Sequence, residues 1–179
     1  MNNNLIITIG REYGTGGREI GQKLALRLGV PFYDRELITR AAKKTGFDEK
    51  LFEQLDKRAT NSFLYSLTMF GSVGLNGMSL TDQLYLAQSN IIREMAEDSS
   101  CVIVGRCADH VLRDFPNKFD FFIHGSIEDR VKRVQTCGDY VIEGKTPEAA
   151  LEKMDKQRST YYNYYTGKVW GKCDHYDLC

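Results

Sequence analysis

The stretch from Leu5 to Leu28 constrains the fold of this chain more than any other part of the sequence. It begins with a β-rich apolar run that ends at Ile9, and apolar residues recur at helical spacing from Ile20 onward. Between the two lies a turn that is rich in glycine: Gly10, Gly14, Gly16 and Gly17. This pattern predicts a strand, a loop and a helix. Because such a loop points backbone N–H groups inward and the helix adds its positive end, the turn is suited to hold a phosphate.

The glycine-rich turn departs from the usual phosphate loop, G-x-x-x-x-G-K-[ST], in which a lysine reaches the phosphates. If Gly16 is the last glycine of the loop, Gly17 stands at the lysine position and Arg18 follows it. Arg11 then stands at the first glycine position, unless Gly10 serves there with one residue inserted. At this point a glycine-rich turn that binds nothing remains the alternative.

The size and charge of the chain favour one globular domain, residues 1–179. Apolar residues make up 42% and charged residues 27% of the sequence, which is typical of a folded protein. Lysine plus arginine and aspartate plus glutamate number 24 each, so nothing favours a general binder of nucleic acid or of membrane surfaces. No run reaches the roughly 20 apolar residues that span a bilayer, and the start MNNN lacks the pattern of a signal peptide. We therefore expect a cytoplasmic protein with no membrane and no nucleic-acid partner.

The cysteines and histidines give no sign of a disulfide framework or of a metal centre. The five cysteines are scattered and contain no C-x-x-C pair: Cys101, Cys107, Cys137, Cys173 and Cys179. The three histidines are isolated and lack the spacing of metal ligands: His110, His124 and His175. This usage of cysteine fits a reducing compartment, and we expect no metal site from these side chains.

Short apolar strands alternate with helical patterns along the rest of the chain. Strands are predicted at Val30–Asp34, Cys101–Val104 and Phe119–Ile123, and helices at 35–45, 81–97, 127–135 and 146–165. The alternation predicts an α/β fold, with a parallel sheet flanked by helices. Ligands that carry phosphate then bind beyond the carboxyl ends of the strands. Residues 60–80 carry no charge and several large apolar side chains, so we expect a flap or a dimer contact there.

Charged residues fall at the strand ends and at helical spacing where a phosphate site would need them. They are Asp34, Arg106, Asp109, the pair Arg130 and Arg133, and the pair Asp155 and Arg158. Phosphoryl transfer depends on positioning and on cations around the transferring group, and arginine binds phosphate with two parallel hydrogen bonds. The alternative for the helical pairs is an ordinary solvated surface, with ion pairs worth less than about 1 kcal/mol.

At these residues the chain resembles the cytidylate kinase-like branch of the P-loop nucleoside monophosphate kinases. The matching segments follow the order of that family over nearly the whole chain: ITIGREYGTGGREIGQKLALRLGVPFYDRELI, VIVGRCADHVL, FFIHGSIEDRVKRV, DKQR and HYDL. The most specific of them is GREYGTGGREI, followed by FYDRE.

The resemblance implies an enzyme with a core sheet, a nucleoside monophosphate (NMP)-binding insertion near residues 35–80 and a lid near residues 136–158. ATP with Mg²⁺ would donate a phosphoryl group to a nucleoside monophosphate, with a cytidylate-like acceptor favoured. The acceptor phosphate is already anionic at neutral pH and needs no general base. We expect a small-molecule nucleotide as the partner, and a monomer or a homodimer.

The resemblance also assigns roles to individual residues. The implied catalytic residues are Arg18, Arg130, Arg133, Asp155 and Arg158. The implied ATP-binding residues are Arg11, Gly14, Thr15, Gly16, Gly17, Arg18 and Glu19. The implied acceptor-binding residues are Asp34, Arg106 and Asp109, and no side chain is assigned to a metal.

The chain departs from the family pattern at several of its positions. Gly17 replaces the loop lysine, Cys107 replaces the acid of a Gly-Arg-Asp step, and Leu151 and Met154 replace lid arginines. We expect Arg18 to take over from the lysine, with Arg11 as the alternative. Two other functions stay open. One is a kinase for another small phosphorylated or hydroxylated metabolite, with Asp34 or Asp109 as base; the other is a nucleotide-binding protein without turnover.

Overall fold

A computed structural model describes residues 3–34, 79–138, 140 and 146–179 of the chain. The strands are β1 (Ile6–Arg11), β2 (Phe32–Tyr33), β3 (Cys101–Val104) and β4 (Lys118–Ile123). The helices are α1 (Gly17–Leu28), α2 (Leu80–Asp98), α3 (Ala108–Val111), α4 (Ile127–Thr136) and α5 (Pro147–Thr166). A short 3₁₀ turn covers Cys173–His175.

The four strands form one parallel sheet in the order β2-β3-β1-β4. Strand β1 lies inside the sheet, where Ile6 is in register with Cys101 on one side and with Lys118 on the other. A single parallel bridge from Leu178 to Phe121 continues the sheet beyond β4. The predicted parallel α/β sheet is confirmed, and all four carboxyl ends meet at one edge, where a phosphate ligand is expected.

Helices cover both faces of the sheet because alternate side chains of its strands point in opposite directions. On one face Ile6 and Ile103 pack with Ile92 of α2 and with α3. On the other face Ile7 and Ile9 pack with Ala25 of α1. The inner strands therefore bury mainly apolar residues on both sides, as expected of a covered parallel sheet, and the buried Thr8 of β1 donates its hydroxyl to Asp120 at 2.5 Å.

The sequence signals for the helix ends are reproduced with small shifts. Thr146 caps α5 by accepting a hydrogen bond from the Ala149 N–H, with Pro147 in the first turn. Ser126 caps α4 in the same way through the Asp129 N–H. The predicted NMP-binding insertion and the uncharged stretch 60–80 lie outside the described residues, apart from 79–80. Among the helices within the described ranges, none combines the length and the apolar character needed to cross a membrane.

Candidate functional site

The glycine loop, residues 12–16, joins the carboxyl end of β1 to the start of α1. Gly14 and Gly16 have positive φ angles of 82° and 78°, which favour glycine, and Gly16 is the N-cap of α1 without a capping side chain. Within the described ranges, the N–H groups of Gly14, Thr15, Gly16 and Gly17 donate to no protein acceptor. A helix start with unsatisfied N–H groups attracts anions, so the loop has the chemistry of a phosphate site.

Arg130 and Asp155 hold the glycine loop in place. The Arg130 Nε donates to the Tyr13 carbonyl at 2.7 Å, and its guanidinium lies 3.3 Å from Glu12 and pairs with Asp155. The Tyr13 N–H donates to Asp155 Oδ1 at 2.6 Å. Arg130 is only 7% exposed, and burial raises the pKa of Asp155 against the opposing effect of these hydrogen bonds. These two residues of α4 and α5 therefore position the loop.

Arg133, one turn further along α4, lies directly over the glycine loop. A Cβ placed on Gly16 would lie 2.6 Å from the Arg133 guanidinium carbon, so the guanidinium rests directly against the glycine backbone. Arg133 also pairs with Glu19 in the first turn of α1. A hydrogen bond from Lys23, together with the charges of Lys23 and Arg133, lowers the pKa of Glu19. The guanidinium of Arg133 is thus a cation placed beside the candidate phosphate site.

Arg18, the expected substitute for the missing lysine, is directed elsewhere. Its Nε donates to Asp34 Oδ2 at 2.7 Å, and Asp34 is buried directly after β2. The position next to the loop is occupied by Arg11, because a Cβ on Gly17 would lie 2.7 Å from the Arg11 Cβ. The guanidinium of Arg11 reaches Gly105, at the end of β3. Arg11 is thus the arginine that lies beside the start of α1, and the role of either arginine stays a prediction.

A cavity of about 120 Å³ opens where β1 and β3 end against α5. We call it the arginine cavity, because Arg11, Arg106 and Arg158 line it. Arg158 donates to the Arg11 carbonyl at 3.0 Å, and its guanidinium lies 5.1 Å from the centre of the Tyr13 ring. The Arg106 guanidinium lies 5.8 Å from the centre of the Tyr161 ring. Three arginines around one small space favour an anionic ligand.

A strained turn carries Arg106 into this cavity. Gly105, Arg106 and Cys107 all have left-handed φ angles, of 80°, 58° and 54°. A left-handed residue other than glycine costs roughly 1–2 kcal/mol, and such strain is concentrated at functional sites. Burial raises the pKa of Cys107 far above its ordinary range, so its thiol stays neutral. Cys107 therefore cannot supply the negative charge of the acid that the family pattern has at this position.

Asp109 supplies a carboxylate at the wall of the same cavity. The Tyr162 hydroxyl donates to Asp109 Oδ2 at 2.6 Å. Burial raises the pKa of Asp109, while the hydrogen bond from Tyr162 acts in the opposite direction. The arginine cavity thus combines three guanidinium groups with one carboxylate whose charge is disfavoured by its surroundings.

The residues singled out from the sequence form three groups in space. Around the glycine loop lie Gly14, Thr15, Gly16, Gly17, Glu19, Arg130, Arg133 and Asp155. The arginine cavity holds Arg11, Arg106, Asp109 and Arg158. Arg18 and Asp34 form a separate pair at the end of β2. The sequence reasoning missed Glu12 and Tyr13, which fix the loop through their contacts with Arg130, and Trp170, which lines the cavity.

The sequence shows Glu12 and Tyr13 only as non-glycine residues inside the loop. Their partners lie on helices that are distant in sequence, so no local pattern reveals these contacts. Trp170 is the single tryptophan of the chain, and the sequence holds no signal that places it near β1.

The fold is similar to that of several solved structures. An uncharacterised protein from Eubacterium ventriosum ATCC 27560 is 33% identical, with a TM-score of 0.69 over 98% of this chain and 87% of that chain. Shikimate kinase from Bacteroides thetaiotaomicron is 14% identical, with a TM-score of 0.55 over 97% and 84%. TT1252 from Thermus thermophilus is 14% identical, with a TM-score of 0.51 over 94% and 87%. At 14% identity the last two show the fold alone.

No curated protein matches the sequence. The model of the cytidylate kinase-like family matches residues 6–179, which include the glycine loop and every residue of the arginine cavity. The chain therefore belongs to the cytidylate kinase-like family.

Proposed function

We propose that this protein transfers a phosphoryl group from ATP to a small anionic acceptor, with a nucleoside monophosphate of the cytidylate type favoured. The observation that carries the proposal is the arginine cavity, which adjoins the glycine loop through Arg11. The stem of Arg11 lies beside Gly17 and its guanidinium reaches Gly105, so this one side chain connects the proposed donor and acceptor places. Membership of a kinase-like family supports this type of reaction.

The glycine loop fits the phosphates of ATP. Its N–H groups at the start of α1 and the guanidinium of Arg133 over Gly16 supply what a polyphosphate requires. Mg²⁺ prefers carboxylate and phosphate oxygens. Glu19 would give up its ion pair with Arg133 and bind the ion together with the phosphates. When bound, Mg²⁺ supplies neutralisation of charge on the phosphoryl groups.

The arginine cavity fits the anionic end of the acceptor. At about 120 Å³ it is close to the roughly 150 Å³ cavity that holds benzene in another protein, so it takes a phosphate group but not a whole nucleotide. Arg106 and Arg158 would bind that phosphate, and Arg11 would neutralise charge between acceptor and donor. A phosphate oxygen is anionic at neutral pH and attacks without a base.

We place the part of the protein that closes over the bound nucleotide between α4 and α5. Arg133 on α4 and Arg158 on α5 approach the glycine loop from this side. We assign the lid to residues 136–158, as the resemblance implies. A closed lid would exclude water from the site and so limit hydrolysis of ATP.

An assay of ADP release, coupled to a second enzyme, tests the proposal with a panel of nucleoside monophosphates. We expect the fastest release with cytidine monophosphate and little release without an acceptor. Binding of ATP without formation of ADP in the presence of any acceptor would instead establish a nucleotide-binding protein without turnover.

A second acceptor class is favoured by one observation, the raised pKa of Asp109 in the arginine cavity. A carboxylate with a raised pKa is a better general base at neutral pH. It could take the proton of a hydroxyl group on a small acid bound by the arginines. Hydroxylated acids in the same assay panel separate the two classes, because only they require Asp109 as a base.

A further inference from the structure

Three side chains that bind soft metal ions meet at the edge of the sheet beyond β4. They are His124, Cys173 and Cys179, and their ligand atoms all lie within 4.8 Å of one another. No spacing in the sequence predicted this group, because His124 comes from the end of β4 and the cysteines from the segment after α5. The fold alone brings the three together.

Backbone hydrogen bonds hold the ligand-bearing segment against β4. The Phe122 N–H donates to the Leu178 carbonyl at 2.9 Å, next to Cys179. The Asp177 N–H donates to the Asp120 carbonyl at 2.8 Å. Closer to Cys173, Gly171 has a φ of 72° and packs against Phe122 and His124, where an added Cβ would lie 3.0 Å from the Phe122 ring. The three ligands therefore sit on backbone that is fixed before any ion arrives.

A carboxylate stands behind the histidine, as in many metal sites. Glu12 Oε1 lies 3.6 Å from His124 Nδ1, and the other oxygen of Glu12 accepts the Gly125 N–H at 3.0 Å. A carboxylate facing Nδ1 favours the proton on that nitrogen and leaves Nε2 as the coordinating atom. Glu12 belongs to the glycine loop, so an ion on His124 would be linked to the candidate phosphate site.

The two thiols already interact with each other. A side-chain hydrogen bond joins the thiols of Cys173 and Cys179, and their sulfur atoms lie within 4.8 Å of each other. A metal ion binds cysteine side chains as thiolates and releases their protons, so two neighbouring thiols can both serve one ion. All three ligands are exposed, so an ion can enter from solvent.

We propose that His124, Cys173 and Cys179 form a binding site for a divalent cation of the zinc class. Two thiolates and one imidazole select zinc over magnesium or calcium, which prefer oxygen ligands. Three protein ligands leave the fourth tetrahedral position to water. The ion would link the segment after α5 to the end of β4. The proposed metal site does not depend on the proposed kinase reaction.

Zinc titration of the reduced protein against a chromophoric chelator tests the site. We expect one equivalent of tightly bound Zn²⁺ for the wild type and for the control Cys137→Ser, whose cysteine lies outside the group. Cys173→Ser, Cys179→Ser and His124→Gln should each abolish this binding. Glu12→Gln should weaken it about 10–100-fold, as expected for a partner behind a ligand.

Cobalt binding to the wild type tests the same site without relying on a variant that folds. We expect a thiolate-to-cobalt charge-transfer band, and protection of two thiols from alkylation when the ion is bound. The proposal is overturned if the band is absent, if both thiols stay reactive with Zn²⁺ present, or if Cys173→Ser and Cys179→Ser retain the zinc equivalent.

Discussion

Arg106 combines a strained backbone conformation with a side chain placed for ligand binding. It adopts a left-handed conformation that arginine rarely takes, and its side chain lines the arginine cavity. We expect Arg106→Ala to weaken binding of the acceptor by about 1.5–3 kcal/mol, the scale of a hydrogen bond to a charged group. Calorimetric titration measures this, with Arg113→Ala, an exposed arginine, as the control. Equal affinities in both variants would contradict the assignment.

Arg11 and Arg18 are the two candidates for the role of the missing lysine, and their side chains have different surroundings. Arg11 lies next to Gly17 and lines the arginine cavity, whereas Arg18 pairs with Asp34. Removing a cation that stabilises the transition state costs on the order of 10²–10³ in rate. We expect that loss of kcat for Arg11→Ala in the ADP-release assay and a smaller loss for Arg18→Ala. The reverse order would restore Arg18 to the role that the sequence suggested.

Arg130 and Arg133 stand on the same helix, yet their environments differ. Arg130 is buried among Glu12, Tyr13 and Asp155, whereas Arg133 is partly exposed over Gly16. Removing one partner from a buried ion pair costs about 3–5 kcal/mol, so we expect a loss near 3 kcal/mol for Arg130→Ala in urea unfolding. Arg133→Ala should leave stability nearly unchanged and weaken ATP binding. Equal stability of the two variants would show that Arg130 does not anchor the loop.

At the scale of elements, the glycine loop is shaped by the helices that pack around it. Gly14 lies against the carbonyl of Arg130 and the side chains of Val134 and Leu151, all on α4 and α5. The loop therefore owes its conformation to contacts with two helices that are distant in sequence. Binding of phosphate and packing of the two helices are coupled through this contact.

Two glycines with similar backbone angles test this coupling. Gly14 has a φ of 82° and would bring a Cβ to 3.0 Å from the Arg130 carbonyl, while Gly29 has a φ of 66° and open space around it. Both Gly→Ala changes incur the strain of a left-handed residue, roughly 1–2 kcal/mol. We expect Gly14→Ala to lose about 1–3 kcal/mol more, from overpacking, in urea unfolding. Equal losses would mean that the helices move aside freely.

At the scale of the whole molecule, the candidate binding sites lie together at the carboxyl edge of the sheet. The glycine loop, the arginine cavity and the cysteine–histidine group all lie where parallel strands end, and Glu12 contacts both Arg130 and His124. The partly buried carboxyl group of Asp109 is part of the same edge. Its protonation links the pH of the solution to the stability of the fold.

Asp109 has a pKa in the folded protein that is raised above 3.8, so the folded state binds its proton more tightly than the unfolded state. Its contribution to stability is therefore present in acid and is lost as the pH rises above about 4. Asp109→Asn removes this titration while keeping an acceptor for Tyr162. We expect the variant to gain stability relative to the wild type between pH 4 and pH 7 in urea unfolding. A constant difference over this range would contradict the raised pKa.

Local patterns determined the fold class, the order of elements and the place of the loop. Strand and helix periodicity, the glycines after β1 and the cap at Thr146 act between neighbours in sequence, so they can be read without a structure. Arg106 and Asp109 were predicted as ligands because each closely follows a buried strand, and both line the arginine cavity. The assignments of individual roles to the site residues stay predictions.

Tertiary packing decided where long, flexible side chains point. The sequence could not tell that Arg18 would find Asp34, or that Arg11 would extend past Gly17 to Gly105, because an arginine can reach several partners from one backbone position. The group of His124, Cys173 and Cys179 is of the same kind, since its members meet only when the segment after α5 returns to β4. Local spacing determines elements, whereas contacts between distant elements determine which charges and ligands share a site.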